Sequence, residues 1–173
     1  MKNKIYLSLG SNIGDRAENI ISALSFFRSS SFVDIKEISS FYETSPIGPK
    51  QKSFYNIVVG AKTNLNPQNL LSLIKQIEEI MGRAKTLHWG PRIIDIDILF
   101  FNNNIIAKKH LTVPHKEIQN RLFVLIPLAE IVESFVHPIL KQKIGDILNE
   151  KLLTLRCQNV KSYVKRCYKK GEK

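Results

Sequence analysis

The chain has 173 residues, 43% of them hydrophobic and 24% charged, which suits one globular domain with one continuous core and excludes a disordered or fibrous chain. The formal net charge is +11, but Lys151 to Lys173 holds eight basic residues against one acid, a net +7 that leaves only +4 for the first 150 residues. A polyanionic partner spread over the whole fold is therefore not required, and a solvated basic tail accounts for most of the excess.

In chain order, Lys4 to Leu9 alternates apolar and polar residues as a strand does, and Gly10-Ser11-Asn12-Ile13-Gly14 is a glycine-bounded turn. Asp15 is placed to cap a helix whose apolar stripe is Ile20, Ile21, Ala23, Leu24 and Phe27. Val33 to Thr44 reads as a second strand, Pro46 to Lys52 as a loop, and Phe54 to Thr63 as a third strand. Asn66-Pro67 then opens a second helix, with Leu70, Leu71, Ile74, Ile77 and Met81 on its apolar face and Gly82 as its stop. An irregular basic segment, Arg83 to Arg92, leads into the β-branched run Ile93 to Phe101, and Asn102-Asn103-Asn104 is expected to turn a hairpin into Ile105-Ile106. The order strand, helix, strand, strand, helix, strand is the split βαβ arrangement of ferredoxin-like folds. The expected class is α+β, a ferredoxin-like βαββαβ core with an antiparallel sheet and a C-terminal extension, divided into a domain at 1–150 and a basic tail at 151–173.

Cys157 and Cys167 both lie in that tail and form neither a CxxC pair nor a disulfide framework, so they read as reduced thiols. Met1 to Leu9 lacks the apolar run and cleavage site of a secretory signal, and no stretch approaches ~20 apolar residues. A cytoplasmic location is expected, with no membrane contact.

The chemistry concentrates at His88-Trp89-Gly90-Pro91-Arg92-Ile93-Ile94-Asp95-Ile96-Asp97-Ile98-Leu99. Residues two apart on a strand share a face, so Asp95 and Asp97 project together with Cα atoms ~6.5–7 Å apart. Two carboxylates at that spacing suit either a solvated sheet face or a hard cation between them, and magnesium carried by a nucleotide phosphate needs no more than two protein carboxylates. The alternation puts Leu99 and Phe101 on the aspartate face and Ile94, Ile96, Ile98 and Phe100 on the other, which argues against an open surface. Upstream, Arg83, Lys85 and Arg92 stand on a segment that Gly82, Gly90 and Pro91 make loop-like, where they could hold phosphates or simply be surface charges. Gly10 to Gly14 has no Gly-Lys-Ser/Thr behind it and is no P-loop. Trp89, the only tryptophan, offers either a stacking platform for a flat ligand or ordinary packing. Thr44-Ser45-Pro46-Ile47-Gly48-Pro49 with Phe54-Tyr55-Asn56 brings a ring and an amide together, as a heteroaromatic with a donor-acceptor edge would want.

Together these segments resemble the 6-hydroxymethyl-7,8-dihydropterin pyrophosphokinase family of folate biosynthesis. Leu9-Gly10-Ser11-Asn12, Phe41 to Pro46, Phe54-Tyr55-Asn56, Gly90-Pro91-Arg92 with Asp95-Ile96-Asp97, Leu111 to His115, and Arg121 to Leu125 with Pro127-Leu128 occur in the family's order over roughly residues 4–150. The resemblance implies that the pterin hydroxymethyl oxygen attacks the β-phosphorus of ATP and AMP leaves. It implies two Mg²⁺ ions on Asp95 and Asp97, with Arg83 and Arg92 joining them as catalytic groups. Glu78, Lys85, Ile98, Thr112, His115 and Arg121 would serve ATP. Thr44, Ile47, Phe54, Asn56, Trp89 and Phe123 would hold the pterin, the two phenylalanines stacking on its faces and Asn56 reading its edge. The loop from Arg83 to Trp89 would close over ATP as a lid. Both partners are then small molecules and the protein is expected to be a monomer. Lys75, His110 and Lys116 depart from the family's glutamine, arginine and tyrosine, and the tail lies outside the resemblance. The rival reading is a ferredoxin-like RNA-binding module, which the acid pair disfavours because in the absence of metal it would repel a phosphate backbone. A noncatalytic scaffold with the same pattern is disfavoured by the intact Asp95, Asp97 and Arg92.

Overall fold

In the computed structural model, residues 2–46, 50–83, 90–157 and 164–168 are described, with backbone only for 155–157 and 164–168. Strand β1 (Asn3–Ser11) runs two residues past the expected end, because Gly10 and Ser11 continue the ladder opposite Asn56 and Tyr55. Helix α1 (Arg16–Ser29) starts where its cap predicts: Asp15 accepts from the N–H groups of Ala17 and Glu18 at 3.1 and 3.0 Å. Ile20, Ala23, Leu24 and Phe27 are buried, but Ile21 is 39% exposed, since one step along a helix turns it ~100° from Ile20 toward solvent.

The expected second strand is two, β2 (Val33–Ile38) and β3 (Phe41–Thr44). The break is chemical. Ser39 accepts from the Val58 N–H through its hydroxyl, and Glu130, far along the chain, takes up the Ser40 N–H and hydroxyl. Strand β4 (Phe54–Thr63) matches its expected span, as does α2 (Pro67–Ile80), capped by Asn66 on Asn69 N–H and stopped by Gly82 at φ +80°. Strand β5 is Asp95–Phe101. After Asn102, β6 (Ile106–Lys108) pairs not with β5 but with β7 (Leu111–Val113), so the expected hairpin is a crossing to a separate two-stranded sheet. A short 3-10 turn (Ile118–Asn120), α3 (Leu122–Val132), α4 (Ile144–Cys157) and β8 (Val164–Tyr168) follow. Helix α4 runs through position 150, and β8 of the basic segment pairs with β3.

The main sheet is antiparallel in the order β5-β1-β4-β3-β8, with β2 also on β4. One face packs Ile5, Leu7, Leu9, Ile57 and Val59 against Ile20 and Phe27 of α1 and Leu70 and Ile74 of α2. Each fully buried aliphatic side chain there contributes about 1.5–3 kcal/mol relative to exposure. The other face carries Tyr6, Val58, Leu99 and Phe100, covered by Leu125 and Leu128 of α3 and Ile144 of α4.

Strand β5 departs from simple alternation. Tyr6 pairs with Phe100 and Leu7 with Ile98, which leaves Leu99 as the extra residue of a β-bulge. Phe100 therefore shares the α3/α4 side with Leu99, and Phe101 joins Ile94, Ile96 and Ile98 in the α1/α2 core, reversing the expected sides of the two phenylalanines. Asp95 and Asp97 lie before the bulge, opposite Gly10 and Ser8.

Candidate active site

Helices α3 and α4 cover only one end of their sheet face. The remainder forms the floor of a cleft of about 440 Å³, made by Ser8 and Gly10 of β1, Asn56 of β4, and Asp95 and Asp97 of β5. Thr44 and Phe54 wall one end; Arg83, Arg92, His115, Arg121 and Phe123 wall the other parts.

The acid pair is held by cations. Asp95, 28% exposed, receives Arg83 at 2.7 Å and Arg92 at 2.8 Å. Asp97, 38% exposed, has His115 Nε2 at 3.8 Å and Arg121 at 4.0 Å. Burial, and next the charge of Asp95, push the Asp97 carboxyl above its ordinary range, against the pull of His115 and Arg121. Burial lowers the His115 imidazole, partly offset by Asp97. Three guanidinium groups around two carboxylates leave the wall net positive, as an anionic ligand requires. No group of three or more His, Cys, Asp or Glu that could form a protein-made metal cage occurs among the described residues. The two carboxylates fit a hard cation that arrives with its own phosphate ligands and needs only part of its shell from protein.

At the opposite end, Asn56 is 4% exposed and Thr44 3%, and the Asn56 amide donates to Thr44 Oγ1 at 2.7 Å. That fixes which way the amide points, leaving its carbonyl oxygen beside Gly10. A Cβ on Gly10 would come within 2.7 Å of that oxygen, so glycine is what lets the amide lie flat over β1.

Of the expected site residues, Thr44, Phe54, Asn56, Arg83, Arg92, Asp95, Asp97, His115, Arg121 and Phe123 all line the one cleft. Ile47, Lys85 and Trp89, and with them most of the expected lid, lie outside the described residues. Glu78, Ile98 and Thr112 are not among the described residues that line this cleft. Ile98 alternates into the α1/α2 core, and Thr112 faces outward on β7. Glu78, 2% exposed, accepts from Ile96 N–H at 2.9 Å and Lys75 at 2.8 Å and pairs with Arg83, so it supports the wall from behind.

Sequence reasoning passed over Asn12. It reads there as a turn residue, yet it is 2% exposed and joins two loops: its N–H donates to Arg92 O at 3.1 Å, its Oδ1 accepts from Arg92 N–H at 2.7 Å, and its Nδ2 donates to Gln51 Oε1 at 2.9 Å. The available signal was its place in the Leu9-Gly10-Ser11-Asn12 run. Gln51, Glu117 and Asn120 also line the cleft and had no signal of their own.

A cleft that joins an acid pair ringed by arginines to a buried amide with a half-buried ring beside it, on an α+β fold, is the setting in which the comparisons place the chain among pyrophosphokinases. The family profile described as 7,8-dihydro-6-hydroxymethylpterin-pyrophosphokinase (HPPK) matches residues 6–133, and the chain belongs to that family. It is 46% identical over 135 residues to the 2-amino-4-hydroxy-6-hydroxymethyldihydropteridine pyrophosphokinase of Bacillus subtilis, covering 78% of this chain and 81% of that protein. To the Aquifex aeolicus enzyme of the same name it is 41% identical, over 88% of this chain and 95% of that one. The wild-type HPPK-DHPS of Plasmodium falciparum, solved with pteroate, superposes at a TM-score of 0.77 and 21% identity over 95% of this chain, which spans 47% of that longer protein. That likeness concerns the fold.

Proposed function

We propose that this chain transfers the pyrophosphoryl group of ATP to the hydroxymethyl group of 6-hydroxymethyl-7,8-dihydropterin, a step of folate biosynthesis. A new bond forms between the pterin hydroxymethyl oxygen and the β-phosphorus, the bridge to the α-phosphate breaks, and AMP leaves while the hydroxyl proton passes to solvent. The observation that carries the reading is one continuous cleft with Asp95 and Asp97 near one end and the Asn56–Thr44 pair at the other.

Transfer of this kind needs positioning and charge neutralisation more than covalent help from the protein. Asp95 and Asp97 would hold magnesium, which when bound supplies charge neutralisation across the phosphates. Arg83 and Arg92 sit on Asp95 and can exchange that carboxylate for phosphate oxygens; Arg121 and His115 border the same space from the α3 side. Asn56 offers its carbonyl oxygen to a donor on the heterocycle's edge, and Phe54 and Phe123 offer rings for its faces. By the family resemblance Ile47 and Trp89 would serve the pterin and Lys85 the ATP, and the segment that bears Lys85 and Trp89 would act as a lid.

The reading treats residues 1–150 as a ferredoxin-like catalytic unit, supported by the strand order β5-β1-β4-β3, and the protein as a cytoplasmic monomer with small-molecule partners only. No helix among the described residues is long and apolar enough to cross a membrane. The test is direct: full-length protein with magnesium, ATP and the hydroxymethyl dihydropterin yields AMP, and omission of the pterin or addition of a chelator stops it. Absence of pterin-dependent AMP overturns the proposal.

A further inference from the structure

The segment after residue 157 has no counterpart in the sequence motifs, yet its strand β8 lies against the part of the sheet that forms the amide end of the cleft. Strand β3 is four residues long and pairs on its inner side with β4, Tyr42 opposite Asn56 and Thr44 opposite Phe54. On its outer side it pairs with β8: Thr44 opposite Val164, Glu43 opposite Lys165, Tyr42 opposite Arg166, and Phe41 opposite Tyr168 after a register shift. A strand this short is held in place chiefly by its ladders. Beyond Thr44 the chain continues into Ser45 and Pro46, which also line the cleft.

Resting on the reading of the cleft as a pterin and ATP site, we infer that β8 is a positioning element for the pterin end. By pairing with β3 it holds Thr44 where the Asn56 amide can donate to it, and so keeps Asn56 oriented toward the heterocycle. Other anchors act on the same strand, among them the Tyr42 hydroxyl, which donates to Glu130 of α3 at 3.0 Å. Arg16 donates to Glu43 at 2.9 Å and to Ser53 O at 3.0 Å, tying β3 and the residue before β4 to the start of α1, while β8 pairs along the outer edge. The phosphate end draws its groups from β5, α3 and the Arg83 and Arg92 segments, none of which pairs with β8. Loss of β8 is therefore felt at one substrate and not the other.

The experiment compares the full chain with a chain ending at Cys157 and with a Lys165→Pro, Arg166→Pro double variant. In an antiparallel ladder one of two successive N–H groups faces the partner strand, so the prolines remove that bond without shortening the protein. KM for the pterin and KM for ATP are measured separately, with thermal melts alongside. The expected result is a pterin KM raised roughly tenfold, the consequence of one loosened hydrogen-bonding partner, with the ATP KM within about twofold of the full chain. Unchanged constants in both variants overturn the inference, and so does a parallel rise in both constants with a lowered melting temperature, which would make β8 general scaffolding. An inactive full-length chain would instead refute the underlying function, so the two failures are distinguishable.

Discussion

Gly10 shows how one residue sets the chemistry of the cleft floor. It stands opposite Asn56 on one side and Asp95 on the other, and any side chain there would strike the Asn56 oxygen. Gly10→Ala should turn that amide away and raise the pterin KM about tenfold or more, a loss of ~1.4 kcal/mol, while nucleotide binding stays near its original strength. Separate titrations of the two substrates check this, and equal weakening of both would contradict it. In the sequence Gly10 reads only as a turn glycine, because the need for it comes from a side chain 46 positions away. Asp95 and Asp97, by contrast, were legible from spacing alone, since a two-residue step on a strand needs no tertiary knowledge. Their arginine partners were legible as a basic loop, but which carboxylate each would meet was not.

At the level of elements, caps and periodicity told most of the story: Asp15, Asn66 and Gly82 mark helix ends where the structure has them. What escaped were features with distant causes. The Ser39-Ser40 break depends on Glu130 of α3, and the Leu99 bulge on its register with β1. Glu78 is the informative intermediate case. It sits four residues after Ile74 on the apolar stripe of α2, an acid where the pattern asks for a hydrophobe, and the structure uses it to join α2 to β5 through Ile96 N–H and to hold Arg83. Glu78→Ala leaves the buried Ile96 N–H without its acceptor and the Arg83 guanidinium with Asp95 alone, so the protein should lose about 3 kcal/mol of stability by urea denaturation. Turnover should fall as well, because Arg83 loses one of its two carboxylate partners. A change below about 0.5 kcal/mol would contradict this role.

For the molecule as a whole, the sheet separates two cores, and the cleft exists because the α3/α4 layer stops short of the sheet's end. That layer contains His137, 3% exposed, whose Nδ1 accepts from the N–H groups of Ile139 and Leu140 at 3.2 Å each and whose ring meets Phe100 edge-on. Burial lowers its pKa, so the fold favours the neutral ring. As pH falls below about 6.5, the unfolded chain takes up a proton that the native state resists, and stability drops. Above about pH 7 the residue contributes no slope. The melting temperature of the natural protein should therefore decline more steeply between about pH 7 and 5 than that of His137→Asn. Parallel curves would contradict it, and the comparison cancels the opposing trends of Asp97 and His115.

The acid pair is where fold, charge and proposed chemistry meet. Turnover of ATP and the hydroxymethyl dihydropterin to AMP by Asp95→Ala and Asp97→Ala, with folding verified by melting, is the decisive measurement. Each substitution should lower kcat by at least about a hundredfold. Either variant working at the natural rate would contradict the account.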